Sequence, residues 1–304
     1  MALTLIAVVL SLVLGHVLPA LPTLRRYDWF VAWLQALARV FAGQGAWQGR
    51  FGLLLAVGLP VAAVGAVQWA LRDLAYGLPG FLFALAVLIY TWGPRDLDLD
   101  VDAVIDAPDP GSRRTAAHAL FPEGGEPVIE GPALVEAVFR CALWRWFGVL
   151  FWFLLLGPFG ALLYRLVALC AQGEARKRLP EGASQAARSV LVLLDWPVAQ
   201  LMTLSLALVG NFDSVFTAWK ESGGAGYSGD SRFLAAAARA SVRSELADEA
   251  LDEVEAEYAP AGAAAISRTV PGLPELRDAM SLVWRILLLW LAVLALFVIA
   301  GWVA

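Results

Sequence analysis

Residues 144–170 read WRWFGVLFWFLLLGPFGALLYRLVALC. The stretch is apolar and aromatic, and it exceeds the about 20 residues that a helix needs to cross a bilayer. Gly157, Pro158 and Gly160 interrupt it, and Arg165 lies inside its second half. A break at membrane depth leaves backbone groups that protein or water must satisfy, and a charge there is costly and marks a functional candidate. The stretch therefore predicts a broken membrane helix rather than a simple anchor.

The composition is that of a membrane protein. Hydrophobic residues make up 60% of the chain and charged residues only 16%, with a mean hydropathy of +0.69. Soluble domains carry about 25% charged residues. The thirteen Trp residues suit the two interfaces of a bilayer, whereas the net charge of −5 excludes a broadly basic nucleic-acid binder. The two Cys residues lie beside or within apolar segments, which favours reduced thiols in a cytosol-facing protein over a disulfide framework.

The apolar runs predict an all-α, polytopic membrane protein with broken or re-entrant helices and cytoplasmic helical loops. We expect residues 1–304 to form a single integral membrane domain. The first run has no basic region before it and no clear cleavage site after it, so it is interpreted as a retained helix rather than a signal peptide. The predicted membrane segments are 2–18, 51–71, 78–93, 144–170, 189–210 and 282–303. The predicted polar, cytoplasmic segments are 23–50, 94–139 and 213–281.

Basic residues predict the orientation of the chain. Arg39 and Arg50 precede the hairpin of residues 51–93, and Arg95 follows it. Because basic flanks favour the cytoplasm, this hairpin begins and ends there, and the N-terminus lies outside.

A basic cluster at residues 176–178 bears on the path of the broken helix. If residues 144–170 cross once, the cluster lies outside, whereas a chain that folds back at residues 157–160 keeps it inside. Each half is about 13 residues, or roughly 20 Å of helix, which is short of the ~30 Å hydrocarbon core. A re-entrant hairpin and a bent, tilted helix both fit, and the charge favours the cytoplasmic placement.

Residues 23–41 have helical periodicity. The apolar residues share one face, and Arg25, Arg26 and Arg39 lie outside that face. This pattern predicts either an amphipathic helix on the inner leaflet or an ordinary packed helix. The apolar members of the face are Leu24, Trp29, Phe30, Trp33, Leu34, Leu37 and Phe41.

The polar segment 94–139 opens with a second periodic helix. Leu97, Val101, Val104 and Ile105 repeat at helical spacing and leave Asp98, Asp102 and Asp106 on another face. An EF-hand loop starting at Asp98 fails, because Ala103 occupies its glycine position and Asp109 its glutamate position. A solvated acidic face is the better interpretation, and no metal ion or cofactor is predicted.

The polar segment 213–281 shows no catalytic motif. The Gly/Ser-rich loop at residues 221–230 lacks the Gly-Lys-Ser/Thr of a phosphate-binding loop. Residues 232–257 predict a helix with an alanine-rich start and an acidic end.

The apolar run 189–210 contains Asp195 followed by Trp196 and Pro197. Asp195 and Arg165 are the two charges most clearly embedded in apolar sequence. Because each is costly alone and cheaper as a pair, we predict that they lie near one another at the cytoplasmic mouth of the bundle.

Three segments together resemble the AmpE family, inner-membrane regulators associated with β-lactamase induction. They run from Ala142 to Arg165, from Val192 to Leu201, and from Ala207 to Phe212 followed by Ala218-Trp219. Residues 93–97 entering an acidic helix agree with this resemblance. It covers most of the chain and is strongest over about residues 140–220.

AmpE proteins are in turn similar to the membrane-bound cobinamide-phosphate synthases of cobalamin biosynthesis. The Gly-Pro-x-Gly-Ala-x-x-Tyr-Arg run of those enzymes matches residues 157–165. Their Asn-Thr-Leu-Asp run is lost at residues 168–171, and their Asn-Trp-Ile-Pro-Ala-Arg run becomes Asp195-Trp196-Pro197-Val198-Ala199-Gln200. The resemblance implies a shared scaffold from which polar groups of the enzymes are largely missing, so no catalytic residue is assigned. The resulting candidates for ligand binding are Gly157, Pro158, Gly160, Tyr164, Arg165 and Asp195.

The resemblance implies a non-enzymatic regulatory protein of the inner membrane that responds to a small anionic or cell-wall-derived ligand or to a protein partner. The alternative is a membrane-embedded transferase or ligase acting on an amphiphilic substrate, since Tyr164, Arg165 and Asp195 could hold a phosphate or a carboxylate. A transporter is a third hypothesis, suggested by the broken helices but unsupported by repeated halves. A polar pocket at Arg165 and Asp195 would favour a ligand-using protein, whereas tight packing would favour a structural or partner-binding role.

Overall fold

The computed structural model describes residues 2–17, 25–41, 43, 45–72, 74, 77–92, 96–121, 126–226, 230–257 and 273–300. These residues form an all-α protein, as predicted, and no strand occurs among them. The α-helices of eight or more residues are α1 (Ala2–Val17), α2 (Asp28–Val40), α3 (Phe51–Ala70), α4 (Leu78–Thr91), α5 (Leu97–Ile105), α6 (Pro110–Ala117), α7 (Gly131–Ala142), α8 (Gly148–Leu156), α9 (Pro158–Ala171), α10 (Glu181–Val209), α11 (Phe212–Glu221), α12 (Arg232–Glu257) and α13 (Pro274–Ile299). A π-helical turn, Leu143–Phe147, joins α7 to α8.

Among the described residues, four helices are long and apolar enough to cross a membrane, as expected of a membrane protein. They are Phe51–Ala70, Gly131–Leu156, Glu181–Val209 and Pro274–Ile299, where Gly131–Leu156 comprises α7, the π-helical turn and α8. The shorter apolar helices α4 and α9 accompany them. Three of the long helices begin 8 to 13 residues before the predicted membrane segments. The difference arises because hydropathy marks only the apolar part of a helix, whereas the backbone continues through a polar first turn.

Contacts divide the chain into two compact units. Unit 1 comprises residues Met1–Asp96, Leu143–Val198 and Trp290–Ala304. Within it α9 packs against α8, α3 and α4, while α1 packs against α4 and α2 against α3. The side chains of Phe147, Phe153 and Tyr164 are almost completely buried in this unit. The single membrane domain expected from the sequence stays a prediction.

Unit 2 comprises residues Leu97–Ala142 and Ala199–Leu289. Within it α12 packs against α7 and α11, and α5 packs against α6 and α7. The periodicity of α5 is confirmed, because Leu97, Val101, Val104 and Ile105 are buried while Asp102 and Asp106 are exposed. The helix predicted over residues 232–257 is also confirmed. Glu136 on α7 forms ion pairs with Arg140 at 2.6 Å and with Arg239 on α12 at 2.8 Å.

The predicted face of α2 is correct in its centre and wrong at its start. Phe30, Leu34 and Leu37 are buried, as expected. Arg25, predicted to lie off the apolar face, is only 7% exposed, whereas Trp29 is 44% exposed. The reason lies in a hydrogen bond from Arg25 to α4. Leu24, Pro94, Arg95 and the loop residues 227–229 lie outside the described residues.

Candidate functional site

The broken helix turns back on itself at Gly157. This residue ends α8 with φ 70° and ψ −153°, a conformation open to glycine because it lacks a Cβ. Its N–H donates to the carbonyl of Phe153 at 2.7 Å, and α9 begins directly afterwards at Pro158. A Cβ on Gly160 would overlap the carbonyl oxygen of Trp152, so this glycine allows the close approach of the two helices. The fold-back considered from the sequence is therefore present, with a single residue at the turn.

Gln68 on α3 bridges the two sides of this turn. Its amide nitrogen donates to the carbonyl of Leu156 at 3.2 Å, and its amide oxygen accepts from the N–H of Phe159 at 2.9 Å. One side chain thus satisfies a terminal carbonyl of α8 and a terminal N–H of α9. Such groups need internal partners because lipid offers none.

The π-helical turn meets the far part of α9. The hydroxyl of Tyr164 lies 3.4 Å from the carbonyl of Leu143, and the guanidinium of Arg165 donates to the carbonyl of Arg145 at 3.3 Å. Gly148 makes room for the ring of Tyr164, because a Cβ there would overlap its phenol carbons. Gly160 lies against Trp152 and Tyr164 against Gly148, so the partners move back along the first arm as the chain advances along α9. Residues 143–156 and 158–171 therefore form an antiparallel helical hairpin.

Asp195 is the polar centre of unit 1. Its carboxylate accepts a hydrogen bond from the Tyr164 hydroxyl at 2.6 Å and another from the Trp144 indole N–H at 2.9 Å. The Asp195 residue is 5% exposed and Tyr164 is 0% exposed. Three helical segments, the π-helical turn, α9 and α10, therefore meet at one buried carboxylate with two directed donors.

Arg165 caps the C-terminus of α4. Its Nε donates to the carbonyl of Thr91 at 2.7 Å, and the residue is 4% exposed. Arg25 donates to the carbonyl of Ile89 at 3.0 Å, and the Tyr27 hydroxyl donates to the carbonyl of Tyr90 at 2.9 Å. The backbone N–H of Trp92 donates to the carbonyl of Leu88. All four terminal carbonyls of this helix are thus satisfied, and two of the donors are cations placed at the negative end of the helix dipole.

Burial changes the acidity of the two cap residues that precede α2. It raises the pKa of the Tyr27 phenol, which keeps its hydroxyl a hydrogen-bond donor to α4. Burial also lowers the pKa of Arg25, and the negative charge of Asp96 opposes that shift.

Arg165 and Asp195 form no ion pair with each other. The guanidinium donates to the carbonyls of Thr91 and Arg145, and the carboxylate accepts from Tyr164 and Trp144. The sequence predicted that the two residues lie near one another as a pair, whereas each is bound by its own set of hydrogen bonds. The physical reason is that backbone carbonyls at helix ends and neutral N–H and O–H donors also offset the cost of a buried charge. Their position at the cytoplasmic mouth of the bundle stays a prediction.

Two helices contain an internal proline, and in each a Trp indole donates to a carbonyl in the preceding turn. Pro60 cannot donate to the carbonyl of Ala56, and the indole of Trp33 donates to that carbonyl at 3.0 Å. Pro197 lies inside α10, where its missing N–H would have met the carbonyl of Leu193, and the indole of Trp152 donates to the neighbouring carbonyl of Leu194 at 3.2 Å. Of the two indoles, that of Trp33 thus replaces the donor that a proline removes.

The structure gathers the six candidate residues into one hairpin and its neighbour α10. Gly157, Pro158 and Gly160 lie at the turn, whereas Tyr164 and Arg165 lie at the middle of α9 and Asp195 lies on α10. Their side chains point into packed protein and are engaged with internal partners. Ligand binding by them stays a prediction.

Sequence reasoning missed several residues that build this region. Gln68 is the only amide or charged side chain in the predicted span 51–71, and that isolation was a usable signal. Trp144 was treated as part of an apolar stretch although its N–H needs a partner when buried. The contribution of Arg25 and Tyr27 carried no such signal, because their acceptors are backbone carbonyls more than 60 residues away.

No protein-family model, curated protein or solved structure shows significant similarity to the chain.

Proposed function

We propose that this chain is a regulatory protein of the inner membrane, of the AmpE type, with a role in β-lactamase induction and cell-wall sensing. The supporting observation is that the polar side chains of the Gly157–Arg165 motif bind other parts of the same protein. Tyr164 and Arg165 are buried and donate to Asp195 and to backbone carbonyls. Groups used in this way support a scaffold whose output is a contact with a partner, rather than an enzyme that must offer them to a substrate.

The proposed orientation places residues 23–50, 94–139 and 213–281 in the cytoplasm and the N-terminus outside. Arg39, Arg50 and the basic cluster at residues 176–178 support it through the preference of basic flanks for the cytoplasm. A chain that folds back at Gly157 keeps the basic cluster on the cytoplasmic side. Residues 213–281 are then cytoplasmic only if α10, which contains Pro197, also begins and ends on that side, so the proposed orientation requires α10 not to cross completely.

Induction of β-lactamase tests the regulatory role. A host strain lacking its own copy of the gene is given this chain or an empty vector, and β-lactamase activity is measured after exposure to a β-lactam. We expect the chain to restore induction. A Ser189→Ala variant, present in the membrane at the same abundance, is the control and should restore induction equally. Identical induction with the chain and with the vector would contradict the proposal.

Binding measurements address the trigger. We expect the purified protein to bind a muropeptide or a nucleotide in a calorimetric screen, or else to retain a protein partner from the induced strain. Arg165→Lys preserves the charge but not the planar donor fork, so it tests whether the guanidinium geometry matters for either event. An equal response of wild type and Arg165→Lys would remove Arg165 from the signalling role.

A membrane-embedded transferase or ligase is the second candidate function. One observation favours it: an apolar groove of about 430 Å³ lies beside Leu162 of the motif helix α9 and could take the apolar part of an amphiphilic substrate. Complementation of a strain without cobinamide-phosphate synthase, scored as cobalamin-dependent growth, distinguishes the two. Growth would favour the enzyme and contradict the purely regulatory proposal.

A further inference from the structure

A groove of about 430 Å³ lies between α2, α3, α4 and α9 of unit 1. Carbon atoms form nearly all of its surface. Two of its lining residues are Ala86 on α4 and Pro60 on α3. The remaining lining residues are Trp29, Val64, Phe83, Val87, Tyr90 and Leu162.

The groove continues the lipid-facing surface of two apolar helices. On α3, the neighbouring Leu59 is 62% exposed, and on α4, Leu82 is 55% exposed. In a membrane protein, large apolar side chains exposed on apolar helices face acyl chains rather than water. The groove is therefore open to the same surroundings and shares their chemistry.

One end of the groove has the polarity of a membrane interface. The Trp29 indole donates to the Tyr90 hydroxyl, which in turn donates to the carbonyl of Arg26 at 2.8 Å. The Arg26 guanidinium is exposed and forms an ion pair with Asp28 at 2.7 Å. Trp and Tyr prefer this depth, where the ring is in apolar surroundings and its polar atom is near water.

The other end of the groove is wholly apolar. Phe83 lies seven residues before Tyr90 on α4, which corresponds to about 10 Å along the helix. The groove thus runs from an interfacial end towards the hydrocarbon region. An acyl chain has the same direction, polar at its head and apolar along its length.

We propose that this groove holds one acyl chain of a bilayer phospholipid, with the headgroup beside Arg26. The fixed walls of the groove contact the chain on several sides, so dispersion contacts retain it better than the mobile chains elsewhere on the surface. The site is independent of the signalling role proposed above, whereas the enzymatic alternative would use the same groove for the apolar part of its substrate. It makes one phospholipid a bound ligand of the fold.

Native mass spectrometry of the full chain, extracted from vesicles of phosphatidylglycerol and phosphatidylethanolamine, tests the proposal. The variant Ala86→Phe places a ring in the groove from an exposed position, and Ala66→Phe makes the same change at an exposed alanine of α3 outside the lining. We expect wild type and Ala66→Phe to retain one phospholipid under mild activation. Retention by Ala86→Phe should fall about tenfold, which corresponds to the loss of about two buried methylene groups.

A second variant and a second readout keep the result interpretable. Val64→Phe blocks the groove from α3, and spin-labelled phospholipid reports immobilised chains by electron paramagnetic resonance. Both groove variants should lose an immobilised component that Ala66→Phe keeps. Equal lipid retention by wild type and the folded groove variants would overturn the proposal, as would equal loss in Ala66→Phe.

Discussion

A single carboxylate, Asp195, organises the polar contacts around the broken helix. It receives the Tyr164 hydroxyl and the Trp144 indole, which come from two arms of the hairpin. Removing an acceptor from buried donors leaves them unpaired, but hydrogen bonds between membrane helices contribute modestly on average. The value of this contact therefore lies as much in joining three segments as in energy.

A double-mutant cycle measures the bond between Tyr164 and Asp195. We expect Tyr164→Phe and Asp195→Asn to be coupled by about 0.5–2 kcal/mol in the free energy of unfolding, because each removes one side of the same buried hydrogen bond. Denaturation in mixed detergent micelles provides the measurement. Ser189→Ala, which changes an exposed hydroxyl bonded within α10, should show no coupling to Tyr164→Phe. Additivity in the Tyr164–Asp195 cycle would show that the bond contributes nothing.

Gly148 is required by the ring that it faces. A Cβ at this position would overlap Tyr164, so Gly148→Ala should lower the free energy of unfolding by about 1–3 kcal/mol through overpacking. Gly58→Ala is the matched control, because no heavy atom lies within 4 Å of the Cβ it would add. That substitution should be neutral or stabilising by up to about 1 kcal/mol, since alanine is the better helix former. The same detergent titration compares both, and an equal effect would contradict the packing argument.

At the scale of elements, two interruptions of helices are stabilised by side chains from neighbouring helices. Gln68 joins both ends of the Gly157 turn, and Trp33 supplies the donor that Pro60 lacks. Buried turns and prolines otherwise leave backbone groups without partners. The stability of each break thus depends on a different helix.

The bridging role of the Gln68 amide can be tested by removing it. Gln68→Leu leaves the Leu156 carbonyl and the Phe159 N–H without this partner, so we expect a loss of about 1–3 kcal/mol in the free energy of unfolding. Hydrogen exchange of residues 156–160 should become faster as well. The exposed Gln185→Leu on α10 is the control and should leave exchange at the turn unchanged. Protection equal to wild type in Gln68→Leu would exclude the bridging role.

Trp33 and Pro60 should depend on each other. Trp33→Phe removes the donor to the Ala56 carbonyl and should destabilise the protein, whereas Pro60→Ala restores a backbone N–H that can bond the same carbonyl. The cost of Trp33→Phe should therefore shrink by about 0.5–2 kcal/mol in the Pro60→Ala background. A thermal unfolding series of the four proteins gives the coupling. If Trp33→Phe costs the same in both backgrounds, the indole does not serve the proline.

At the scale of the whole molecule, the sequence predicted the helices and their buried faces better than the hydrogen-bond partners of buried side chains. Periodicity correctly identified the buried face of α5 and the extent of α12, because burial on one side of a helix is visible locally. The interruption at residues 157–160 was visible for the same reason. The partners of Arg165 and Arg25 were not, because a cation can be satisfied by backbone carbonyls that any sequence provides. Hydropathy also placed the starts of long helices too late, since it does not follow a helix into its polar turns.

Contacts within unit 2 constrain the side of the membrane on which its polar segments lie. Glu136 on α7 pairs with Arg239 on α12 at 2.8 Å, and α5 packs against α7. Polar segments that pack together occupy one side of a bilayer. We therefore expect residues 97–121 and 212–257 to share a side, which is the cytoplasm in the proposed orientation.

Cysteine labelling tests this sidedness directly. The native Cys141 and Cys170 are buried, so an impermeant maleimide should report single introduced thiols. Asp102→Cys and Asp213→Cys, both at exposed positions, should react only after the cells are permeabilised, whereas Leu74→Cys between α3 and α4 should react in intact cells. Reaction of Asp102→Cys and Asp213→Cys from opposite sides would be incompatible with the packing of unit 2. Reaction of both in intact cells would agree with that packing but would contradict the proposed orientation. The basic flanks would then not determine the direction of insertion.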